Sequence, residues 1–300
     1  MQDYKLLTAL DAVIREQSFE KATKRLHITQ SAISRRVKLL EAQHGQPLLI
    51  RNQPIKTTPL GQKLLGHFQR VLQLESELNK QLDQENQLQP LPLAVNADSL
   101  ATWFIDALRP LLKQQKMILN LYVADESQTL ERLASGEVLA CVTSKPKTIS
   151  GGESHFLGYM EYLCVATPSF IEHYFSEGIN EHSLQQAPAM IFDQHDDMHL
   201  RFLLENFSLQ RGQYPCHTVR SSQAFVDITL ADGGYSLNSR LHIEKEIETG
   251  KLIHILPEKI IYVPLYWHCW ELSGALMAQL TEDIISYCQK VLPQHQANHL

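Results

Sequence analysis

Four side chains between residues 30 and 35 are of the types that read DNA bases. Gln30 can pair with adenine, and Arg35 can pair with N7 and O6 of guanine. Ser31 and Ser34 are short enough to let a helix approach the base edges closely. The apolar residues Ile33, Val37 and Leu40 recur at i, i+4 and i+7, so they would form the buried side of a helix. The four polar side chains would then face outward. The pattern therefore predicts a helix that enters a DNA major groove; a surface helix with solvated cations is the alternative.

Capping residues and glycine define the elements that would hold these side chains. The segment DYKLLTALDAVIREQ, residues 3–17, shows the apolar spacing of an amphipathic helix, and Ser18 is a suitable N-cap for a second helix. Thr29 can cap a third helix beginning at Gln30, and Gly45 would end it. Two short helices joined by a tight turn, with the second basic on its outer face, predict a helix-turn-helix.

The segment PLLIRNQPIKTTPLG, residues 47–61, predicts a two-stranded wing after the third helix. Arg51 and Lys56 would lie on this wing, near the phosphate backbone. An ordinary hairpin is the alternative.

The charge is unevenly distributed along the chain. The 300 residues have a formal net charge of −6. Residues 1–58 carry ten Lys/Arg and five Asp/Glu, a balance of +5, whereas the remainder carries 17 against 28, a balance of −11. A small basic segment on a larger acidic body indicates a nucleic-acid-binding module attached to a different domain.

The order of residues in this first segment resembles the N-terminal winged helix-turn-helix of LysR-type transcriptional regulators. The resemblance covers roughly the first 65 residues and uses about a dozen spaced positions. They are Ser18-Phe19, Ala22, Leu26, Gln30, Ser34, Leu39, Glu41, Gly45, Pro47-Leu48-Leu49, Arg51, Thr58, Gly61 and Leu64-Leu65. It implies that Gln30, Ser31, Ser34 and Arg35 read bases. It implies that phosphates are contacted by Ser18, Thr29, Arg36, Lys38 and Arg51.

A long helix follows the wing and should connect two domains. From Pro59 to about Gln87 the apolar residues lie near a heptad seam, as in a helix that needs a partner. Packing against the body of the protein is one interpretation. A dimerising linker helix, which LysR-type proteins have, is the one we favour. The polar stretch DQENQLQPLP marks the boundary that follows.

The last two hundred residues alternate strands and helices. The order βαβαβ from Leu91 onward predicts a parallel sheet, and a second α/β set follows. Two such lobes joined by crossing strands resemble the periplasmic-binding-protein fold of LysR-type effector domains. The predicted fold class is therefore α/β, with an N-terminal winged helix-turn-helix and a long linker helix. Expected boundaries are 1–58 for DNA binding, 59–88 for the linker and 90–300 for effector binding, with lobe I at about 90–162 and 266–300 and lobe II at about 163–265.

Polar side chains follow the strands of both lobes, where ligands of such sheets bind. Serines at helix N-termini suit a carboxylate, and clustered aspartates suit an ammonium or guanidinium group. The candidate effector contacts are Asn96, Asp98, Ser99, Thr102, Glu126, Thr143, Asp196, Asp197, Ser221 and Ser222. Taken singly, each is better explained as an N-cap or a solvated loop. The convergence of five loops is what favours a ligand, and it points to a cationic amino acid.

Further segments, from LAVNADSLATW to LYWH, resemble the lysine- and arginine-responsive members of the LysR family. The resemblance implies L-lysine or L-arginine as effector. One departure concerns Asn238 and Ser239, which stand where the family usually has an apolar residue and a proline. Because that loop borders the expected ligand site, effector preference or response could differ.

Catalytic and metal-binding patterns do not outweigh this interpretation. His195 and His199 have the spacing of two ligands on a helix, but no HExxH motif accompanies them. Cys216 and His217 would point to opposite faces of a strand, and no GxSxG or GxGxxG occurs. Five widely spaced cysteines indicate free thiols in a reducing cytoplasm. No apolar run is long enough to span a membrane, and no signal peptide is evident. We expect neither enzyme activity nor a cofactor or metal.

The sequence thus predicts a cytoplasmic transcriptional regulator that binds double-stranded DNA. Expected partners are promoter or operator DNA, L-lysine or L-arginine, RNA polymerase, and further copies of the chain in a homodimer or tetramer. Two alternatives stay open: a LysR-type regulator with a different effector, and an α/β amino-acid-binding protein whose N-terminal helices serve only dimerisation.

Overall fold

A computed structural model describes residues 3–52, 54–81, 89–115, 117–123, 126–149, 151–193, 196–271 and 274–295. The chain folds into two compact units. The first comprises Met1–Ala94, Leu111–Ser154 and Trp267–Glu282, and the second Val95–Pro110, His155–Tyr266 and Asp283–Leu300.

Three helices open the first unit where the capping signals predict them. They are α1 (Tyr4–Glu16), α2 (Phe19–Leu26) and α3 (Gln30–His44). Ser18 accepts a hydrogen bond from the Lys21 amide at 3.2 Å, and Thr29 accepts one from the Ala32 amide at 3.3 Å. Gly45 follows α3 in a left-handed conformation with φ 68°. The predicted helix-turn-helix is confirmed.

The predicted wing and linker helix follow. Strands β1 (Leu49–Ile50) and β2 (Lys56–Thr57) pair antiparallel, and α4 spans Pro59–Gln81. Residues 82–88, the rest of the predicted linker helix, lie outside the described residues. The first half of α4 is part of the core of the helix-turn-helix, because Leu64, Leu65 and Phe68 are buried among residues of α1 and α3. These side chains therefore stabilise the DNA-binding fold itself.

The remaining elements alternate between strands and helices. In chain order they are β3 (Gln89–Val95), α5 (Ala97–Ser99), a π-helical segment (Leu100–Phe104), α6 (Ile105–Lys113), β4 (Met117–Val123), α7 (Glu126–Ala134), β5 (Ala140–Thr143), β6 (Gly152–Ala166), α8 (Pro168–Tyr174), α9 (Glu181–Gln186), β7 (Ala189–Ile191), α10 (Asp197–Phe207), β8 (Cys216–Thr218), α11 (Ser222–Leu230), β9 (Ser236–Ser239), α12 (Arg240–Glu248), β10 (Ile253–His254), β11 (Ile261–Trp270) and α13 (Ala275–Val291).

The sheet of the first unit is parallel where the sequence predicts it. β5 lies between β3 and β11, β4 lies at the edge beside β3, and Leu93 of β3 pairs with Ala140 of β5 in parallel. The linker helix packs on this part of the chain. A Cβ atom at Gly66 of α4 would lie 3.2 Å from the carbonyl oxygen of Ala134 in α7, so the close approach depends on a residue without a side chain.

The second unit is built on the long strand β6, which pairs antiparallel with β9 and β10. A separate parallel pair, β7 and β8, lies in the same unit. The strand begins at Gly152, whereas the sequence predicted only its last part, the segment YLCVATP. The first five residues were missed because they are largely exposed and lack the apolar pattern of a buried strand. Strands β6 and β11 have residues in both units.

The sequence pattern also misplaced one cap and missed several helices. Asp98 or Ser99 was expected to cap the helix after β3, but Asn96 does so: its Oδ1 accepts from the Ser99 amide at 3.2 Å. Helices α8, α9 and α12 were not predicted. All three are nine residues or shorter, so their apolar periodicity spans too few turns to be distinctive.

Five free cysteines differ in their accessibility. Cys141, Cys164, Cys269 and Cys288 are buried, whereas Cys216 on β8 is exposed. Burial raises the pKa of Cys141 to about 12 and that of Cys269 to about 11, so these thiols stay protonated. Within the described ranges, no helix combines the length and apolar character needed to cross a membrane.

Candidate DNA-reading face and effector site

The outer face of α3 presents the side chains that were predicted to read DNA. Ile33, Val37 and Leu40 are fully buried against the other helices, and this fixes the rotation of α3 about its axis. The opposite face carries the predicted base-reading and phosphate-contacting residues. Gln30, Ser31, Arg35 and Lys38 are exposed, and Ser34 and Arg36 are half-buried. The structure therefore brings the predicted residues of α3 to one surface, with Arg36 at its margin.

Ser18 and Thr29 hold helix N-termini at this surface. Each accepts a cap hydrogen bond from its own helix, and the Thr29 hydroxyl also lies 3.0 Å from the hydroxyl of Ser31. Helix N-termini carry free amides and positive potential, which favour phosphate. Both residues can thus position a phosphate through the helix ends they cap, which is a structural role compatible with the predicted contact.

Arg51 is held above α2 by two contacts. Its guanidinium group lies 3.6 Å from Oε2 of Glu41 and 5.7 Å from the centre of the Phe19 ring. The other oxygen of Glu41 accepts from the Leu48 amide at 3.0 Å, so the carboxylate is fixed between α3 and the wing. Because 52% of the Arg51 side chain remains accessible, this ion pair adds little stability but limits where the cation can point.

These elements enclose a shallow cleft between α2, α3 and the wing. Its lining comprises Ser18, Phe19, Glu20, Gln30, Ser34, Arg51 and Ile55. Hydroxyl, amide and guanidinium groups converge there beside the Glu20 carboxylate and two apolar side chains, and these polar groups are of the types that meet base edges and phosphates. Lys56 is exposed on β2 of the same wing.

Asp98 is the centre of a polar cluster in the second unit. Tyr162 of β6 donates its hydroxyl to Oδ2 of Asp98 at 2.6 Å, and Ser222 at the start of α11 donates to Oδ1. Tyr162 and Ser222 are buried, and Asp98 itself is half-buried. Two elements distant in sequence, β6 and α11, thus fix one carboxylate. Among the described residues, no cation forms an ion pair with it.

The neighbours of Asp98 differ in whether their polar side chains already have hydrogen-bond partners. Asn96 caps α5, and the Thr102 hydroxyl donates to the carbonyl oxygen of Asp98 at 2.7 Å. Ser99 is fully buried, and its hydroxyl has no partner among the described residues. Of these three predicted contacts, only the Ser99 hydroxyl keeps its full hydrogen-bonding capacity.

The aspartates before α10 have structural partners that the sequence did not reveal. Asp193 is buried beside Arg220, with Oδ2 at 3.2 Å from the guanidinium group. Asp196 caps α10 by accepting from the His199 amide at 3.2 Å, and it also accepts from the Phe192 amide at 2.9 Å. Asp197, the first residue of α10, is exposed. The expected acidic cluster is therefore mostly committed to holding its own loop.

The remaining predicted effector contacts have separate environments. Ser221 caps α11 by accepting from the Ala224 amide at 3.3 Å. Thr143 belongs to the first unit, is fully buried and accepts from the Lys145 amide at 3.3 Å. Glu126 begins α7, but its side chain lies outside the described residues. The roles of all three in binding stay predictions.

Sequence reasoning missed Tyr162, the second donor to Asp98. The residue lies in a strand, and nothing in its local pattern separates it from a core tyrosine. Only the pairing of β6 with β9 and the return of α11 place it beside a loop 64 residues earlier. A weak signal exists in hindsight: a tyrosine buried in a strand needs a partner for its hydroxyl.

His199 has a core environment and does not resemble a metal ligand. His195, the other member of the spaced pair, lies outside the described residues. His199 is 1% exposed, and its ring lies 5.8 Å from that of Tyr214 and 5.7 Å from that of Tyr235. Burial lowers its pKa to about 4, and the nearby Asp196 opposes the shift only in part. A neutral histidine packed between two tyrosines has a core role.

Comparison with known proteins gives consistent results over the whole chain. Residues 4–62 match the family model of the bacterial regulatory helix-turn-helix proteins of the lysR family. A transcriptional regulator named ArgP from Aeromonas salmonicida is 47% identical over 292 residues, which cover 97% of this chain and 98% of the relative. ArgP of Photobacterium profundum is 46% identical over 294 residues, covering 97% and 99%.

Two solved structures are similar over nearly their full length. The crystal structure of ArgP from Mycobacterium tuberculosis has a TM-score of 0.88 at 29% identity, and the match covers 99% of this chain and 100% of the other. Full-length LysG from Corynebacterium glutamicum with bound effector Arg has a TM-score of 0.82 at 31% identity, covering 97% and 100%.

These findings confirm the predicted fold class, a winged helix-turn-helix followed by an α/β effector domain. They also confirm that the chain is a DNA-binding transcriptional regulator and not an enzyme. The chain belongs to the LysR family of bacterial transcriptional regulators.

Proposed function

We propose that this regulator senses a basic amino acid, L-arginine or L-lysine, through its second unit and reads promoter DNA through α3. The observation that carries the effector assignment is the Asp98 carboxylate. Hydroxyl groups of Tyr162 and Ser222 hold it, and no cation among the described residues neutralises it. A half-buried carboxylate in this state is complementary to a guanidinium or ammonium group.

The relatives support the same class of ligand. LysG was solved with bound effector Arg, and it is similar to this chain over 97% of its length. A neutral or acidic effector would leave the Asp98 charge without compensation, which is unfavourable in a partly desolvated site. Asp98, Ser99 and Ser222 are thus the strongest effector contacts, with Asn96, Thr102 and Asp197 of the same unit as weaker candidates.

Calorimetry with matched ligands tests the charge requirement. L-Citrulline has nearly the shape of L-arginine but no charge on its side chain. We expect the wild-type chain to bind L-arginine or L-lysine, and Asp98→Asn to weaken that binding about 10- to 100-fold, the range for a hydrogen bond to a charged group. Glu205→Gln, at an exposed position on α10 of the same unit, is the control. Heat from neither basic amino acid, or equal affinity for L-citrulline, would overturn the proposal.

Two substitutions on α3 test how the regulator reads DNA. Arg35→Ala should cost about 1–3 kcal/mol on a specific promoter fragment and relax base preference, because a base contact is lost. Lys38→Ala should weaken binding to all sequences and reduce the salt dependence by about one phosphate contact. Fluorescence anisotropy over a range of salt concentrations separates the two effects.

The control for both variants is Lys245→Ala, which removes an exposed cation from α12 in the second unit. It should leave DNA affinity unchanged. Unchanged affinity of Arg35→Ala and Lys38→Ala as well would contradict the assigned reading face.

The remaining features of the proposal follow from the family and the chemistry. We infer that residues 1–58 bind DNA, 59–88 dimerise and 90–300 bind the effector. The regulator would act in the cytoplasm, where chromosomal DNA lies, as a homodimer or tetramer that contacts RNA polymerase. The effector would shift a population between assemblies, and it must therefore bind one arrangement more tightly than another.

A further inference from the structure

The N-terminus of α12 lacks the hydrogen bond that other helices of the second unit receive. Its N-cap, Ser239, has extended backbone angles but makes no side-chain cap bond. Ser239 is only 3% exposed, and its hydroxyl has no partner among the described residues. In contrast, Ser221 caps α11 through its side chain. A serine suited to cap a helix is thus buried with its hydroxyl unused.

An anionic group would satisfy this end of the helix. The first amides of an α-helix have no intrahelical acceptor, and the helix dipole makes that end positive. No acidic residue lies in the first turn of α12. A carboxylate placed there could accept hydrogen bonds from the free amides and from the Ser239 hydroxyl together.

The same end of α12 lies near the Asp98 cluster. Ser239 of β9 pairs directly with Tyr162 of β6, so their side chains lie on the same face of the sheet. The Tyr162 hydroxyl in turn contacts Asp98 at 2.6 Å. Helix α12 also packs against the π-helical segment Leu100–Phe104, which follows Asp98 in the chain. A negative and a positive recognition group therefore share one region of the second unit.

Ser239 also belongs to the pair that departs from the family pattern. Asn238 is buried and donates its amide to the Ser236 hydroxyl at 2.6 Å, so it is satisfied within the fold. Ser239 has no such contact among the described residues. The two neighbouring residues therefore differ: the Asn238 amide is satisfied within the fold, whereas the buried Ser239 hydroxyl is available to a ligand.

We propose that the Ser239 hydroxyl and the first amides of α12 bind the α-carboxylate of the effector, while Asp98 holds one of its cationic groups. This inference rests on the proposed function and specifies how the site recognises its ligand. Ser239 then makes the regulator selective for an intact basic amino acid over the amine that decarboxylation yields.

Agmatine, which is arginine without its carboxylate, provides the test. Calorimetry on the full chain should show that wild type binds L-arginine more tightly than agmatine. Ser239→Ala should weaken L-arginine binding about tenfold and leave agmatine binding unchanged, because only the carboxylate loses a donor. Ser239→Thr keeps the hydroxyl and should retain the preference. Ser176→Ala, an exposed serine of the same unit, is the control.

The outcomes separate this inference from the proposed function. Equal binding of L-arginine and agmatine by wild type would overturn the role of Ser239, and so would an equal loss of both ligands in Ser239→Ala or no loss at all. Agmatine binding by the variant shows that its site is still folded. A wild type that binds neither L-arginine nor L-lysine would instead overturn the proposed effector class.

Discussion

His199 shows how one buried side chain can make stability depend on pH. Its ring is enclosed by Tyr214 and Tyr235, and neither nitrogen has a partner among the described residues. Its pKa is lowered from 6.5 to about 4 in the folded chain. As the pH falls from 6.5 toward 4, His199 binds a proton in the unfolded chain but stays neutral in the folded chain. The free energy of unfolding therefore falls in this window, and above it His199 has no effect.

Replacing His199 should flatten this response. We expect the thermal midpoint of wild type to drop between pH 7 and pH 5, and that of His199→Leu to drop less, because leucine does not titrate. Scanning calorimetry at three pH values measures the difference. His217→Leu, on the exposed strand β8, should follow wild type. An identical pH response of wild type and His199→Leu would contradict the assignment.

For individual residues, the sequence predicted which side chains are exposed better than it predicted their hydrogen-bond and ion-pair partners. Gln30, Ser31, Arg35 and Lys38 are exposed as expected, because helical periodicity alone determines which side of α3 they share. Asp193 and Asp196 are not free for a ligand, because Arg220 and the backbone of α10 occupy them. Those partners depend on the tertiary path of the loop, and no local pattern encodes it.

Among the elements, the wing and the linker helix meet at a tightly packed junction. A Cβ atom at Gly61 of α4 would lie 2.3 Å from the carbonyl oxygen of Leu48. That carbonyl cannot easily move, because it accepts from the Thr58 amide at 3.0 Å. The linker helix can therefore meet the wing only where its third residue is glycine.

Adding a methyl group there should separate the two elements. We expect Gly61→Ala to destabilise the DNA-binding module by on the order of 1–3 kcal/mol, the cost of overpacking against a fixed neighbour. Urea unfolding followed by circular dichroism would measure it. Lys63→Ala, an exposed position on the same helix, is the control. A Gly61→Ala variant as stable as that control would show that the wing shifts freely.

Long elements with clear capping residues were the ones that the sequence predicted best. The helices α1 to α4 and the parallel pair β3 and β5 were found from periodicity and capping residues. Short helices such as α12 and the polar first half of β6 were not, because their residues satisfy no period over enough positions. The proposed Ser239 site depends on the start of α12 and on the pairing of β9 with β6, and so it could not be derived from the sequence alone.

Over the whole molecule, residues 1–58 are basic and the remaining residues are acidic. The linker helix that follows the basic segment carries exposed apolar side chains. Leu64 and Phe68 of the predicted seam are buried in the DNA-binding core, but Leu72 and Leu74 are 39% and 45% exposed. An exposed leucine on this helix suits the proposed contact with a second copy.

Placing a charge on that surface should weaken self-association. We expect Leu72→Glu to shift the chain toward monomers, because a charge would be buried without a partner in the proposed dimer. Sedimentation velocity at several concentrations would show the shift. Gln62→Glu adds the same charge near the start of the helix and should leave the oligomer intact. Unchanged sedimentation of Leu72→Glu would place the dimer contact elsewhere.

The unequal accessibility of the cysteines has a practical consequence. Cys216 is the exposed thiol of β8, while the other four thiols are buried. A maleimide fluorophore would therefore attach to the second unit at a single native position, without engineered cysteines. The unmodified sequence thus already contains an attachment point for an optical reporter of effector binding.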